Sequence, residues 1–166
     1  MNSFTKLTTK RFSERNSCDF TIQQSTFTVI TKATRDFLFE NFRGAVSISE
    51  DVTHSVYTKV APEGLALYFK VILRELFGSC LLFVHIKSET KTLKMNLHFS
   101  KDNYDLKSED ELNYIAKNSG FESEYKKEEN KHILTLTFRE ERFRTISIHA
   151  ITSLEIKHAF NKIFFL

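Results

Sequence analysis

Residues 61–78 read APEGLALYFKVILRELFG. Pro62 and Glu63 open the run: proline in a first helical turn forfeits no hydrogen bond, and a carboxylate there suits the positive end of the helix dipole. Leu65, Leu67, Tyr68, Phe69, Val71, Ile72, Leu73, Leu76 and Phe77 are too many apolar side chains for one face. The spacing predicts a central helix over about 62–77, covered on most sides, with Lys70, Arg74 and Glu75 leaving a narrow polar edge. Gly78 stops it, and residues 80–86 pass at once into a strand-like run.

Downstream, 80–88 and 92–100 read as two strands joined by the polar turn Glu89-Thr90-Lys91. In the second, Leu93, Met95, Leu97 and Phe99 alternate with Lys94, Asn96 and His98, the pattern of a half-buried antiparallel strand. A polar loop, 101–107, leads to a helix over 108–119. Ser108 with Glu111 has the spacing of a capping box, Leu112, Ile115 and Ala116 form the apolar stripe, and Gly120 ends it. Strands follow at 121–125 and 132–138 around the charged turn 126–131. A further strand is expected at 143–150 and a packed helix within 152–166, marked by Leu154, Ile156, Phe160, Ile163 and Phe164.

Upstream, 20–30 is rich in Phe, Thr and β-branched residues, which predicts a strand over at least 26–30. Ala33, Phe37, Leu38 and Phe42 predict a helix over 31–42, capped by Thr31 or Thr34, with Gly44 at its end or in the next turn. Residues 45–49 read as a short strand and 51–59 as irregular. Residues 1–19 read as a basic arm or linker and 20–166 as one domain. The interleaving of helices with strand pairs predicts an α+β fold: a two-layer α/β sandwich whose mixed sheet is covered by helices on one face.

The composition sets limits. A chain of 166 residues with 41% hydrophobic residues can bury a real core. Four Gly and one Pro argue against a glycine-rich nucleotide site and a turn-rich β-sandwich. A net charge of +3, spread along the chain, argues against nucleic acid as a partner. Cys18 and Cys80 match no metal spacing and read as a reduced pair. With no long apolar run and no signal peptide, the expected location is the cytoplasm. No zinc spacing, serine-nucleophile elbow or cysteine-nucleophile motif occurs.

The 61–78 run resembles the asparagine-box segment of the GHKL (Bergerat) ATPases, in the form shown by histidine kinases, gyrase B, heat-shock chaperones and mismatch-repair ATPases. The pair of strands over 80–100 resembles the hairpin leading to that family's Asp-x-Gly-x-Gly box. The run from Leu112, LNYIAKNSGFESEYKKEENKHILTLTF, resembles its closing segment. The resemblance covers 27–138 and implies the histidine-kinase ATPase fold, with 143–166 added. It also implies where ATP and Mg²⁺ would sit. The ligand positions of the asparagine box fall on Val71 and Glu75, and the adenine acceptor falls on Asp102.

Here the chain departs from the pattern. Val71 is no ligand, Glu75 is a weak metal candidate, and no glycine pair follows Asp102. The segment equivalent to the ATP lid shrinks to 101–107, and Ser108-Glu-Asp-Glu111 stands where the last glycine box belongs. None of the six histidines lies in a phosphoacceptor setting, and residues 1–16 are too short for the helical hairpin that would carry one. The expectation is a degenerate domain with no catalytic residues and no cofactor, acting on a protein partner in bacterial-type signalling; a homodimer is one form. The alternatives are an ATP-binding sensor-kinase or anti-sigma-factor-like kinase domain using Asp102 and Glu75, and a nucleic-acid-binding domain.

Overall fold

The computed structural model describes residues 21–53, 55–76, 81–100, 105–141 and 152–164. In order the elements are β1 (Gln23–Thr26), α1 (Phe27–Asn41), β2 (Ala45–Asp51), β3 (Tyr57–Val60), α2 (Pro62–Glu75) and β4 (Leu81–Ser88). They continue with β5 (Thr92–Ser100), α3 (Glu109–Ser119), β6 (Glu122–Glu128), β7 (Lys131–Arg139) and α4 (Ser153–Phe164). Five strands form a mixed sheet in the order β2-β4-β5-β7-β6, with β2 parallel to β4 and every other pair antiparallel. β1 and β3 make a separate antiparallel pair. The architecture is the predicted α+β sandwich. Leu82, Val84 and Ile86 of β4 and Leu93, Met95 and Leu97 of β5 are buried beneath the helices, while Leu81, Phe83 and Lys87 face outward on the open side.

α2 is the centre of the helical layer. Nine of its fourteen residues are buried, which its sequence required of any stable placement. α3 packs on one flank, and α4 lies against both α2 and α1. Phe160 of α4 sits edge-on to Phe37 of α1 with ring centroids 4.9 Å apart and 6.1 Å from Phe69 of α2. Ile156 and Ile163 are buried beside it. The rim is held by Lys157 to Glu40, Lys162 to Glu63, and Lys70 donating to the Ile163 carbonyl.

Three local expectations are corrected. Residues 27–30 are not a strand: Thr26 ends β1 and is also the N-cap of α1, its hydroxyl accepting from the Val29 N–H at 3.3 Å, so neither Thr31 nor Thr34 caps. The helical stripe begins at Phe27 and runs through Ile30, Thr34, Phe37 and Leu38, all buried. That 3.6-residue burial outweighs the β preference of the threonines and Ile30. The C-cap is Phe42, which leaves Gly44 in the turn before β2, the second of the two places expected for it. Within 51–59, expected to be irregular, β3 begins at Tyr57 because it finds a partner in β1.

Gly120 ends α3 as expected, in the left-handed conformation with φ at 90°. A Cβ there would stand 2.6 Å from the Lys59 carbonyl oxygen, so only glycine fits. The same corner is locked by the Ala61 N–H donating to the Ser119 carbonyl, which ties the start of α2 to the end of α3. The arm at 1–19 and the strand expected at 143–150 lie outside the described residues.

Candidate functional site

The resemblance directs attention to the end of α2 and the start of α3. Val71 is 1% exposed and belongs to the hydrophobic core. Glu75, one turn further on, is the last residue of α2 and is partly exposed. Its carboxylate turns toward the start of α3: Oε1 accepts from the Lys107 backbone N–H at 2.8 Å, and Oε2 accepts from the Ser108 hydroxyl at 2.9 Å. Asp102 lies outside the described residues, so the structure unites Val71 and Glu75 on one helix and leaves Asp102 unplaced.

Ser108 does not do what its spacing from Glu111 suggested. It occupies the N-cap position of α3 with φ −97° and ψ 13°, and its side chain makes no cap bond. An effective cap needs extended backbone that aims the hydroxyl at the first-turn N–H groups. Here ψ is far from that range, and the ionised Glu75 carboxylate is the stronger acceptor. α3 therefore starts with its hydroxyl donated to a neighbouring helix.

A second link runs beside the first. Burial pushes the Arg74 guanidinium pKa down, and the attraction of the nearby Glu111 carboxylate opposes that shift. Glu111 is 7% exposed. With Glu109 and Asp110 it gives the first turn of α3 three carboxylates, which suit the helix dipole. The end of α2 and the first turn of α3 are thus joined by the two hydrogen bonds of Glu75, with the Glu111 carboxylate adding an attraction for Arg74; nothing in the sequence signalled these pairings.

The sheet below contributes one more cluster. His132 on β7 is fully buried, its Nδ1 2.6 Å from the Tyr125 hydroxyl. Its ring stacks on Phe99 of β5 at 4.9 Å with planes 5° apart. Burial pushes the Tyr125 hydroxyl above its ordinary pKa, opposed by a hydrogen bond to the Leu106 backbone. Asp105 next door pairs with Lys127 at 2.8 Å, a bond that holds its carboxyl below the usual range. The cluster fixes the end of β5 and the chain just before α3. His85 and His98 sit on strands, and His158 is exposed on α4. Away from all this, at the far end of α3, a shallow depression of about 350 Å³ is lined by Asn113, Lys117 and Gly120 with Phe121, Glu122 and Ser123. Among the described residues no group of three His, Cys, Asp or Glu is placed to hold a metal ion. No described helix is long and apolar enough to cross a membrane.

A mixed five-stranded sheet, a helical layer on one face and a buried central helix leading into a β-hairpin make up the histidine-kinase-like ATPase fold. Solved structures that share it are histidine kinases. Acinetobacter baumannii histidine kinase AdeS superposes with a TM-score of 0.54 at 11% identity, covering 84% of this chain and 77% of that one. The histidine kinase domain of the E. coli osmosensor EnvZ gives 0.51 at 9% identity, over 78% and 95%. The catalytic domain of histidine kinase ThkA, in a nucleotide-free form, gives 0.51 at 6% identity, over 72% and 97%. No protein-family model matches the sequence, and no curated protein matches it.

Proposed function

We propose that this chain is a histidine-kinase-like ATPase domain that no longer binds or turns over nucleotide and works through protein contact, as a regulatory or scaffolding module in bacterial-type signalling. The observation that carries the reading is the engagement of Glu75. At the position where the resemblance puts a Mg²⁺ ligand, both carboxylate oxygens accept hydrogen bonds from the start of α3. A metal there would compete with those two bonds for the lone pairs of a carboxylate already aimed at α3. Val71, the other ligand position, is a core side chain. Glu109, Asp110 and Glu111 crowd the helix N-terminus that a triphosphate would approach. At ~4–6 Å each like-charge contact costs on the order of 1 kcal/mol or more. The residues present do not fit ATP with Mg²⁺, and no catalytic step is assigned to them.

The test is a calorimetric melt with and without Mg-ATP, Mg-ADP and a non-hydrolysable analogue. A ligand at 100 times its Kd adds about 2.7 kcal/mol, which for a domain of this size raises Tm by roughly 5–10 °C. The expected result is superimposable melts up to millimolar nucleotide. A rise of that size in any nucleotide would overturn the proposal and restore the ATP-binding reading that rests on Asp102 and Glu75.

A further inference from the structure

The two edges of the main sheet are unlike each other. At one edge β6 reads Glu-Ser-Glu-Tyr-Lys-Lys-Glu, and its charges are matched locally: Glu122 with Arg139, Glu124 with Lys126, Lys127 with Asp105. Such alternation of charge is how proteins keep an edge strand from pairing with another chain. At the other edge β2 reads Ala-Val-Ser-Ile-Ser-Glu-Asp, seven residues long, with no Lys, Arg, Pro or bulge among them. Among the described residues its outer side has no strand neighbour.

Three of the five large apolar side chains exposed among the described residues flank this edge. Leu81 and Phe83 of β4, 42% and 50% exposed, stand in register behind Ala45 and Ser47, which are too small to cover them. On the helical side, Arg35 of α1 reaches across to Glu50 of β2 at 2.9 Å. Phe39, 56% exposed, is one turn along the helix from Arg35 and so shares its face toward the β2 side. The strand also has a charge at each end: Arg43 just before it and Asp51 at its last position, both exposed.

We propose that β2 is a self-pairing edge, and that two copies of this chain join antiparallel through it into one continuous ten-stranded sheet about a two-fold axis at Ser47. Antiparallel pairing on that register sets Arg43 opposite the partner's Asp51 twice, Ala45 opposite the partner's Ser49, and Ser47 opposite itself. Opposite charges directly across a strand pair are favourable and like charges unfavourable. Parallel pairing in register would align Arg43 with Arg43 and Asp51 with Asp51, so the charge pattern selects the antiparallel arrangement. The same surface serves both copies, as a two-fold interface requires. The small side chains of Ala45, Ser47 and Ser49 form a floor between the Phe83 rings of the two copies, and Phe39 is drawn toward the join from the helical side. This inference does not depend on whether the cleft between α2 and α3 binds nucleotide.

The experiment is sedimentation equilibrium of the 166-residue chain from micromolar to millimolar concentration, with circular dichroism to confirm that each variant folds. The parent is expected to dimerise reversibly. Arg43→Asp and Asp51→Arg are each expected to weaken the dimer about ten-fold or more, since each replaces two attractive pairs with two repulsive ones. Mixing the two variants is expected to restore association, because each copy then offers the charge the other lacks. In a Cys18→Ser, Cys80→Ser background, Ser47→Cys is expected to form an intermolecular disulfide under mild oxidation, since directly opposed Cβ atoms lie about 4.5–5.5 Å apart. A chain that stays monomeric at millimolar concentration overturns the proposal. So does a dimer that the charge variants leave unchanged, or a mixture no stronger than its components.

Discussion

Replacing Glu75 with alanine should destabilise the domain in the absence of any ligand. The side chain accepts two hydrogen bonds, at 2.8 and 2.9 Å, that join α2 to the first turn of α3. Bonds to an ionised group contribute about 1.5–3 kcal/mol each when buried. Glu75 is partly exposed, and water can replace part of what is lost, so a total of about 1.5–3 kcal/mol is expected for the pair. For a domain of this size that lowers Tm by roughly 3–12 °C. Glu75→Gln keeps an acceptor oxygen without the charge and should fall between parent and alanine. Ser108→Ala removes one of the two donors. The double variant Glu75→Ala with Ser108→Ala should lose less than the sum of the singles, because both delete the same bond. Urea titration followed by far-UV circular dichroism measures the parent and the four variants. An alanine variant with the parent's midpoint, or a Mg²⁺-dependent nucleotide stabilisation of the parent that the variant lacks, would refute the assignment of Glu75 to holding α3.

Two further outcomes test other parts of the fold. Phe160→Ala removes a fully buried ring from the contact between α4, Phe37 and Phe69, and should cost about 3–5 kcal/mol in urea unfolding; a loss below about 1 kcal/mol would mean that α4 is not part of the cooperative unit. Burial pushes the Tyr68 hydroxyl pKa well above its ordinary value of 10.0, against a smaller opposing effect of its hydrogen bond to Ser123. The folded state therefore keeps a proton that the unfolded chain gives up. Stability is intact below pH 10 and falls as pH rises beyond it, by up to about 1.4 kcal/mol per pH unit for this one group. Tyr68→Phe should unfold at alkaline pH with a slope shallower by that amount, and equal slopes for the two chains would exclude the account.

The parts of the fold that could be read in the sequence are those whose cause is local or periodic. The apolar run from Pro62 to Leu76 had no stable place but the centre of a layer. The alternation in β5 and the glycine after α3 declared themselves in the same way. The misreadings occurred where a distant partner decides the outcome. Ile30 and Thr31 have strand chemistry, yet the burial stripe they share with Phe27 and Phe37 makes the segment helical. β3 is four residues long and exists because β1 lies beside it. Ser108 and Glu111 have capping-box spacing, but the hydroxyl is taken by Glu75, 33 residues earlier in the chain. Sequence spacing could pick out Val71 and Glu75 as positions of interest. It could not show that one is core and the other bound to α3, because both facts depend on which helix lies alongside.

The packing of α4 over α2 has a consequence for how the chain comes into being. The Lys162–Glu63 contact joins residues 99 positions apart. At about 5–20 residues per second, a ribosome takes roughly 5–20 s to add that interval. Throughout it, the most apolar helix of the domain lacks the partner that covers one of its sides. A nascent or truncated chain that stops before Phe160 therefore presents a greasy surface to chaperones and proteases, and it is the docking of α4, rather than emergence of the sheet, that closes this surface.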